Sequence, residues 1–230
     1  VIELLYNKGV ESFSISGGEV LLKDGFESIL GFIRQEGKKR GIDLPIVLIS
    51  NARNMTADYI HLFKELNVHL SMSLPGYETF QEHTGVDNAD GVLHWFQIAK
   101  SIGVKTTLNV TVTKKNYEEL FQIISLGLLN GAEDILLNRF LPGGRGLAYM
   151  DELMLTPMQV NGMLDIAEEV YHHYQNVLKQ SNQIDFADMI NDAHFYLQEI
   201  ERQHIEMPYK YIIIDEFQDT STLQWTCFKV

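Results

Sequence analysis

Apolar residues along this chain keep two alternating rhythms. Short β-type runs at Ser12 to Ser16, Pro45 to Ser50, Val68 to Leu74, Lys105 to Val112 and Asp134 to Phe140 predict strands. Between them, apolar positions recur at helical spacing near Phe26 to Lys39, Thr56 to Leu66, Gly91 to Ile102 and Tyr117 to Leu129. Gly41, Asn67, Gly103 and Gly131 stand just past these stretches, where a residue tolerant of left-handed backbone closes a helix. Strand, helix, strand at about 30 residues per unit predicts right-handed parallel crossovers, either closing into a barrel or spreading into a doubly wound sheet. Periodicity alone does not choose between them.

Farther on, Thr156-Pro157-Met158-Gln159 forms a capping box with proline at the first helical position. Val160, Met163, Leu164, Ala167, Val170 and Tyr171 continue at helical spacing, predicting a helix of about six turns. A second helical stretch runs from about Asp185 to Gln203, and Tyr211 to Ile214 reads as a buried strand leading into Asp215-Glu216-Phe217-Gln218-Asp219. There is no internal repeat beyond the βα rhythm and no Pro/Ser-rich linker.

Composition narrows the picture. With 45% hydrophobic residues over 230 positions, the chain can bury a core as one large domain or two small ones. No apolar run approaches the roughly 18 residues that span a bilayer, so the expectation is a soluble, cytoplasmic protein without a membrane partner. Val1 in place of a start Met suggests a fragment. A net charge of -13 sets a repulsive average field against a phosphate polyanion, which argues against autonomous DNA binding. The single cysteine, Cys227, excludes an internal disulfide and any thiolate-only metal cluster built by this chain alone, and it fits a reducing compartment. The histidines show no HExxH spacing, and surface or packing roles are expected for them.

Two constellations carry chemistry. The first is Ser16-Gly17-Gly18-Glu19, at the C-terminal end of a predicted parallel strand, where bare backbone lets a ligand approach closely. Taken alone, the glycines could equally supply unusual dihedrals to an ordinary βα turn. Its surroundings favour the first reading. Phe13 to Leu22 (FSISGGEVLL) resembles the "SGGEPLL" motif of radical SAM enzymes. Ile49 to Ala52 (ISNA), Leu70 to Gly76 (LSMSLPG), His83 to Gly85 (HTG), Val110 to Asn116 (VTVTKKN) and Asn138 to Gly146 (NRFLPGGRG), with Leu155 to Pro157 after them, resemble later motifs of that family in the right order. The last resembles its peptide-modifying and haem-related branch.

This resemblance, over residues 1 to about 168, implies an α/β fold with an incomplete parallel (β/α) barrel. It implies that Gly17, Gly18 and Glu19 receive the amino group of S-adenosylmethionine, that Ser73 and Asn109 lie near its carboxylate or ribose, and that Arg139 and Leu141 neighbour the adenine or the substrate. In that family a 4Fe-4S cluster reduces the sulfonium, and the resulting 5'-deoxyadenosyl radical takes a hydrogen from substrate, here a peptide or a tetrapyrrole-like molecule. The sequence departs from the pattern in three places: no CxxxCxxC occurs, Val20 replaces a common Pro, and Pro75 a common Asp. As it stands the chain supplies no cluster ligands, and activity is not expected of it alone. An unclosed barrel exposes strand edges, which predicts a covering partner or an oligomer.

The second constellation is Asp215-Glu216, adjacent carboxylates at the end of an apolar strand, an arrangement that serves magnesium and water activation in nucleotide hydrolysis and equally occurs as a solvated acidic turn. Tyr209 to Ser221 (YKYIIIDEFQDTS) resembles motif II of UvrD-type superfamily 1 DNA helicases, and Ile184 to Ile190 (IDFADMI) resembles their preceding segment. That resemblance, over about 170 to 230, implies a helix-helix-strand fragment of a P-loop NTPase-like domain. In it Asp215 holds magnesium, Glu216 is the general base, and Gln218 senses the ATP γ-phosphate and couples it to DNA. No GxxxxGK[ST] loop is present, so ATP hydrolysis is not expected here. The two resemblances meet near Glu168 to Tyr171 without a linker, which suggests a composite chain, with a genuine fusion as the alternative. Three readings stay open: a radical SAM enzyme, an ATP-driven helicase fragment, and a silent binding module.

Overall fold

The computed structural model describes residues 1–181 and 186–204. The chain divides into two compact units, Val1–Ile166 and Ala167–Val230. In the first, β1 (Phe13–Ile15), β2 (Ile46–Ser50), β3 (Val68–Ser73), β4 (Thr106–Val112) and β5 (Asp134–Arg139) form one sheet in the order β1-β2-β3-β4-β5, every pair parallel. The principal crossover helices are α2 (Phe26–Arg40), α3 (Ala57–Glu65), α5 (Ala89–Ile102) and α6 (Leu120–Leu129), with α1 (Ile2–Asn7) before β1 and the short α4 (Phe80–Thr84) after β3. Then come α7 (Met150–Leu153) and α8 (Pro157–Gln180).

Strand order answers what periodicity could not. In a doubly wound sheet the order reverses at a switch point, whereas here each crossover steps the same way. Right-handed crossovers then lay the helices on a single face, as in part of a barrel. Parallel register puts Leu48, Leu70 and their neighbours on that helix-covered face, with Leu108 beside Met72. There Leu30, Ile33, Ile60, Phe63, Phe96 and Leu120 close over them, all fully buried. Phe26, Tyr59 and Phe63 add an aromatic cluster with centroids 5.3 to 6.3 Å apart.

Helix ends follow the expected chemistry. Gly41 and Gly103 close α2 and α5 in the left-handed region, and Asn67 and Gly131, just past α3 and α6, also take positive φ. The capping box is reciprocal: Gln159 N donates to Thr156 Oγ1 at 3.2 Å and Thr156 N to Gln159 Oε1 at 3.0 Å. Pro157–Gln180 spans 24 residues, as the capping box and apolar spacing predict. The sequence pattern does not announce α1. It is fixed by tertiary contacts: the Tyr6 hydroxyl donates to Ile33 O at 3.0 Å and its ring packs on Phe13.

In the second unit α9 (Phe186–Arg202) is helical as expected. The strand predicted at Tyr211 to Ile214, and Asp215, Glu216, Gln218 and Cys227 after it, lie outside the described residues. Among the described residues no helix is long and apolar enough to cross a membrane.

Candidate functional site

The concave face of the sheet, free of helices, ends at the C-terminal rim of the strands. Gly17 and Gly18 follow β1 there, both exposed. Neither has positive φ, and a Cβ added at either would meet nothing within 4 Å. The turn therefore does not need glycine for its dihedrals, nor does packing among the described residues need it for space. What two bare positions provide is an open stretch of backbone at the rim.

Glu19 ties that stretch to the next strand. Its Oε1 accepts from Leu21 N at 3.1 Å and from Ser50 Oγ at 2.8 Å, and its Oε2 accepts from Asn51 N at 2.8 Å. A carboxylate offers about four acceptor sites, so Glu19 keeps one, on Oε2, for a further donor. Ser50 Oγ in turn accepts from Ala52 N at 3.0 Å, holding Ala52 at φ 58.

Ser73, the last residue of β3, is the register partner of Asn109, midway along β4, and the two share the concave face. Asn138 Nδ2 donates to Asn109 Oδ1 at 3.2 Å, which leaves the Asn109 amide hydrogens and the Ser73 hydroxyl available. From β1 to β4 this rim spans about 14 Å at the usual strand spacing. Arg139 pairs with Val112 in register and so starts from the helix-covered face. With Leu141 it lines a separate cleft of about 480 Å³ bounded by Phe140, Met154, Leu155 and Pro157. The rim thus gathers Gly17, Gly18, Glu19, Ser73 and Asn109, while Arg139 and Leu141 sit together beside it.

A second set of residues, not singled out as site residues from sequence, shapes the loops above β3 and β4. Buried Asn116 donates from Nδ2 to Pro75 O at 2.5 Å and Thr111 O at 2.9 Å, and its Oδ1 accepts from Thr113 N at 2.7 Å. Glu119 accepts from the amides of Tyr77, Glu78 and Thr79 and from the Thr79 hydroxyl. His83 lies between Thr79 O and Thr113 Oγ1, 3.0 Å from each. The segments HTG and VTVTKKN therefore act on the rim as a clamp.

Among the described residues no group of three or more His, Cys, Asp or Glu could hold a metal ion. The residues present fit a nucleoside with an amino-acid end, but they do not fit an iron-sulfur cluster.

Comparison with known proteins agrees with the fold. Residues 1–127 match the Radical SAM superfamily. The chain belongs to that superfamily. Residues 148–230 match the UvrD/REP helicase N-terminal domain. A probable GTP 3',8-cyclase of Saccharolobus islandicus (strain M.14.25 / Kamchatka #1) is 29% identical over 153 residues, covering 66% of this chain and 49% of that protein. Its counterpart in Metallosphaera sedula is 29% identical over 142 residues, covering 60% and 43%. The chain thus spans about half the length of the curated relatives it matches.

Solved radical SAM structures share the fold. Native anSMEcpe with bound AdoMet and Kp18Cys peptide superposes with a TM-score of 0.64 at 16% identity, covering 80% of this chain and 52% of that one. Streptococcus suis SuiB bound to S-adenosylmethionine gives 0.62 at 15%, covering 79% and 40%. Coproporphyrinogen III oxidase (HemN) from Escherichia coli, a radical SAM enzyme, gives 0.52 at 15%, covering 78% and 44%. At these identities the likeness is one of fold.

Proposed function

We propose that the first unit is the S-adenosylmethionine-binding part of a radical SAM enzyme. The observation that carries this is the pair Gly17-Gly18, whose lack of side chains nothing among the described residues requires. When bound, the cofactor supplies a primary carbon radical that abstracts hydrogen. This chain's residues bind and orient it. Backbone at Gly17-Gly18 and the remaining acceptor of Glu19 meet its ammonium group, and Ser73 and Asn109 meet its carboxylate or ribose. The Asn116 and Glu119 clamp fixes the loops that flank them, so that a bound reactant loses little further freedom at the moment of reaction. Arg139 and Leu141 stand at the adenine or substrate end. The cluster would come from a CxxxCxxC outside this chain. A protein joining such a segment to these residues should, after anaerobic reconstitution and reduction, release methionine and 5'-deoxyadenosine. No product from a fully loaded cluster would overturn the assignment.

The match over residues 148–230 supports a second, separate reading of the C-terminal part as a helicase fragment. In it Asp215 would serve magnesium, Glu216 the attacking water, and Gln218 the γ-phosphate of ATP, with DNA bound only by a complete helicase. We read the whole as a composite of two proteins. The two matches are separated by 20 residues, 128–147, without a Pro/Ser-rich linker. Sequencing the coding DNA on both sides tests this: a phosphate loop and a CxxxCxxC in one continuous frame would instead establish a fusion.

A further inference from the structure

The lower half of the concave face carries a feature that the rim reading does not use. Ser71 is 3% exposed and lies at the centre of this face, beside Ile49 on one side and Thr107 on the other. Its hydroxyl has no hydrogen-bond partner. Burial falls off to both edges, where Ser14 and Leu136 are exposed, so Ser71 is the floor of a trough. An unpartnered buried hydroxyl costs stability and persists where something outside the fold completes it. Around it stand His69, whose Nε2 is 2.6 Å from Thr107 Oγ1 and 3.9 Å from Asp134 Oδ2, and the Asn109 and Asn138 pair.

Charge decides what this trough accepts. Register and alternation place no lysine or arginine on the concave face of the five strands, and Asp134 is its only carboxylate. A nucleoside triphosphate needs several cationic donors, which this floor lacks. A neutral amide, one donor beside one acceptor, matches a hydroxyl that can both give and accept.

We infer that Ser71, with His69 and Thr107, forms a substrate subsite that takes an uncharged amide group, such as a peptide bond, and disfavours a triphosphate. This rests on the reading of the first unit as an S-adenosylmethionine-binding part, and adds that substrate reaches the cofactor along the concave face.

The test uses the 230-residue chain, labelled with ¹⁵N and titrated separately with N-methylacetamide, inorganic tripolyphosphate and S-adenosylhomocysteine. N-methylacetamide should give saturable shifts at the amides of Ser71, Thr107 and Asn109, and Ser71→Ala should weaken them about two- to tenfold, the share of one hydrogen bond. Without ligand, Ser71→Ala should melt at the same temperature or higher, and Thr107→Val serves as a second variant of the same subsite. Linear shifts, shifts indifferent to both variants, or saturable tripolyphosphate binding at these amides would overturn the inference. The homologue reports separately at Gly17 and Gly18: its failure beside a successful amide titration sinks the rim assignment and leaves the subsite standing.

Discussion

Replacing Asn116 should loosen the rim more than any exposed substitution could. Its side chain is fully buried and makes four hydrogen bonds: two donated to Pro75 O and Thr111 O, two accepted from the Thr113 amide and hydroxyl. Asn116→Ala leaves the buried Thr113 N–H without an acceptor and frees the carbonyl of Pro75. Each buried orphan costs about 1–3 kcal/mol, so a loss of roughly 2–4 kcal/mol follows. For a unit of this size that lowers the melting temperature by roughly 5–15 °C. Asn116→Asp should be worse, because it turns two donated bonds into carboxylate facing carbonyl oxygen. Its deficit should shrink in mild acid, where a protonated carboxyl can again donate. Urea and thermal melts followed by circular dichroism at two pH values read all three proteins. A loss below about 0.5 kcal/mol for Asn116→Ala, or an Asp variant as stable as the native chain at neutrality, would refute the clamp.

Two other changes follow from packing and charge. Gly37→Ala, which in a helix usually adds stability, should here remove about 1–3 kcal/mol, since the new Cβ would sit 2.5 Å from Ile42 O and 2.8 Å from the Tyr6 hydroxyl; a denaturation midpoint at or above the native one would contradict this. Hydrogen bonds from Lys39 and then Arg40 hold the Glu36 carboxyl below its ordinary range. Its contribution is present above the free-glutamate value of roughly 4.3 and is lost as pH falls through the lower folded value, so Glu36→Gln should flatten the acid side of the stability profile. An unchanged slope there would sink that assignment.

How far the sequence was legible depends on the range of the contact involved. The five strands of the first unit, its crossover helices and their stops at Gly41, Asn67, Gly103 and Gly131 are written in neighbouring residues, and the structure holds them. The Gly17-Gly18 turn is legible as a pattern, while the ordinary dihedrals and empty surroundings that support the proposed ligand berth over a plain turn are visible only in coordinates. The Asn116 clamp joins positions 41 residues apart at Pro75, and no local spacing announces such a bond. The lysine-free trough was equally hidden, because alternation within one strand does not say which face the helices will cover. Short α1 and α4 escaped for want of enough residues to show a period.

On the function proposed above, Gly17 and Gly18 are kept bare for a ligand and for nothing else. Calorimetric titration of S-adenosylhomocysteine into the native chain and into Gly17→Val and Gly18→Val, with melting curves of the same samples, tests it most directly. The native chain should give saturable heat, both variants an affinity lower by at least about tenfold, and the melting temperatures should scarcely move. Variants that bind as the native chain does, or that lose binding only because they unfold, would contradict it.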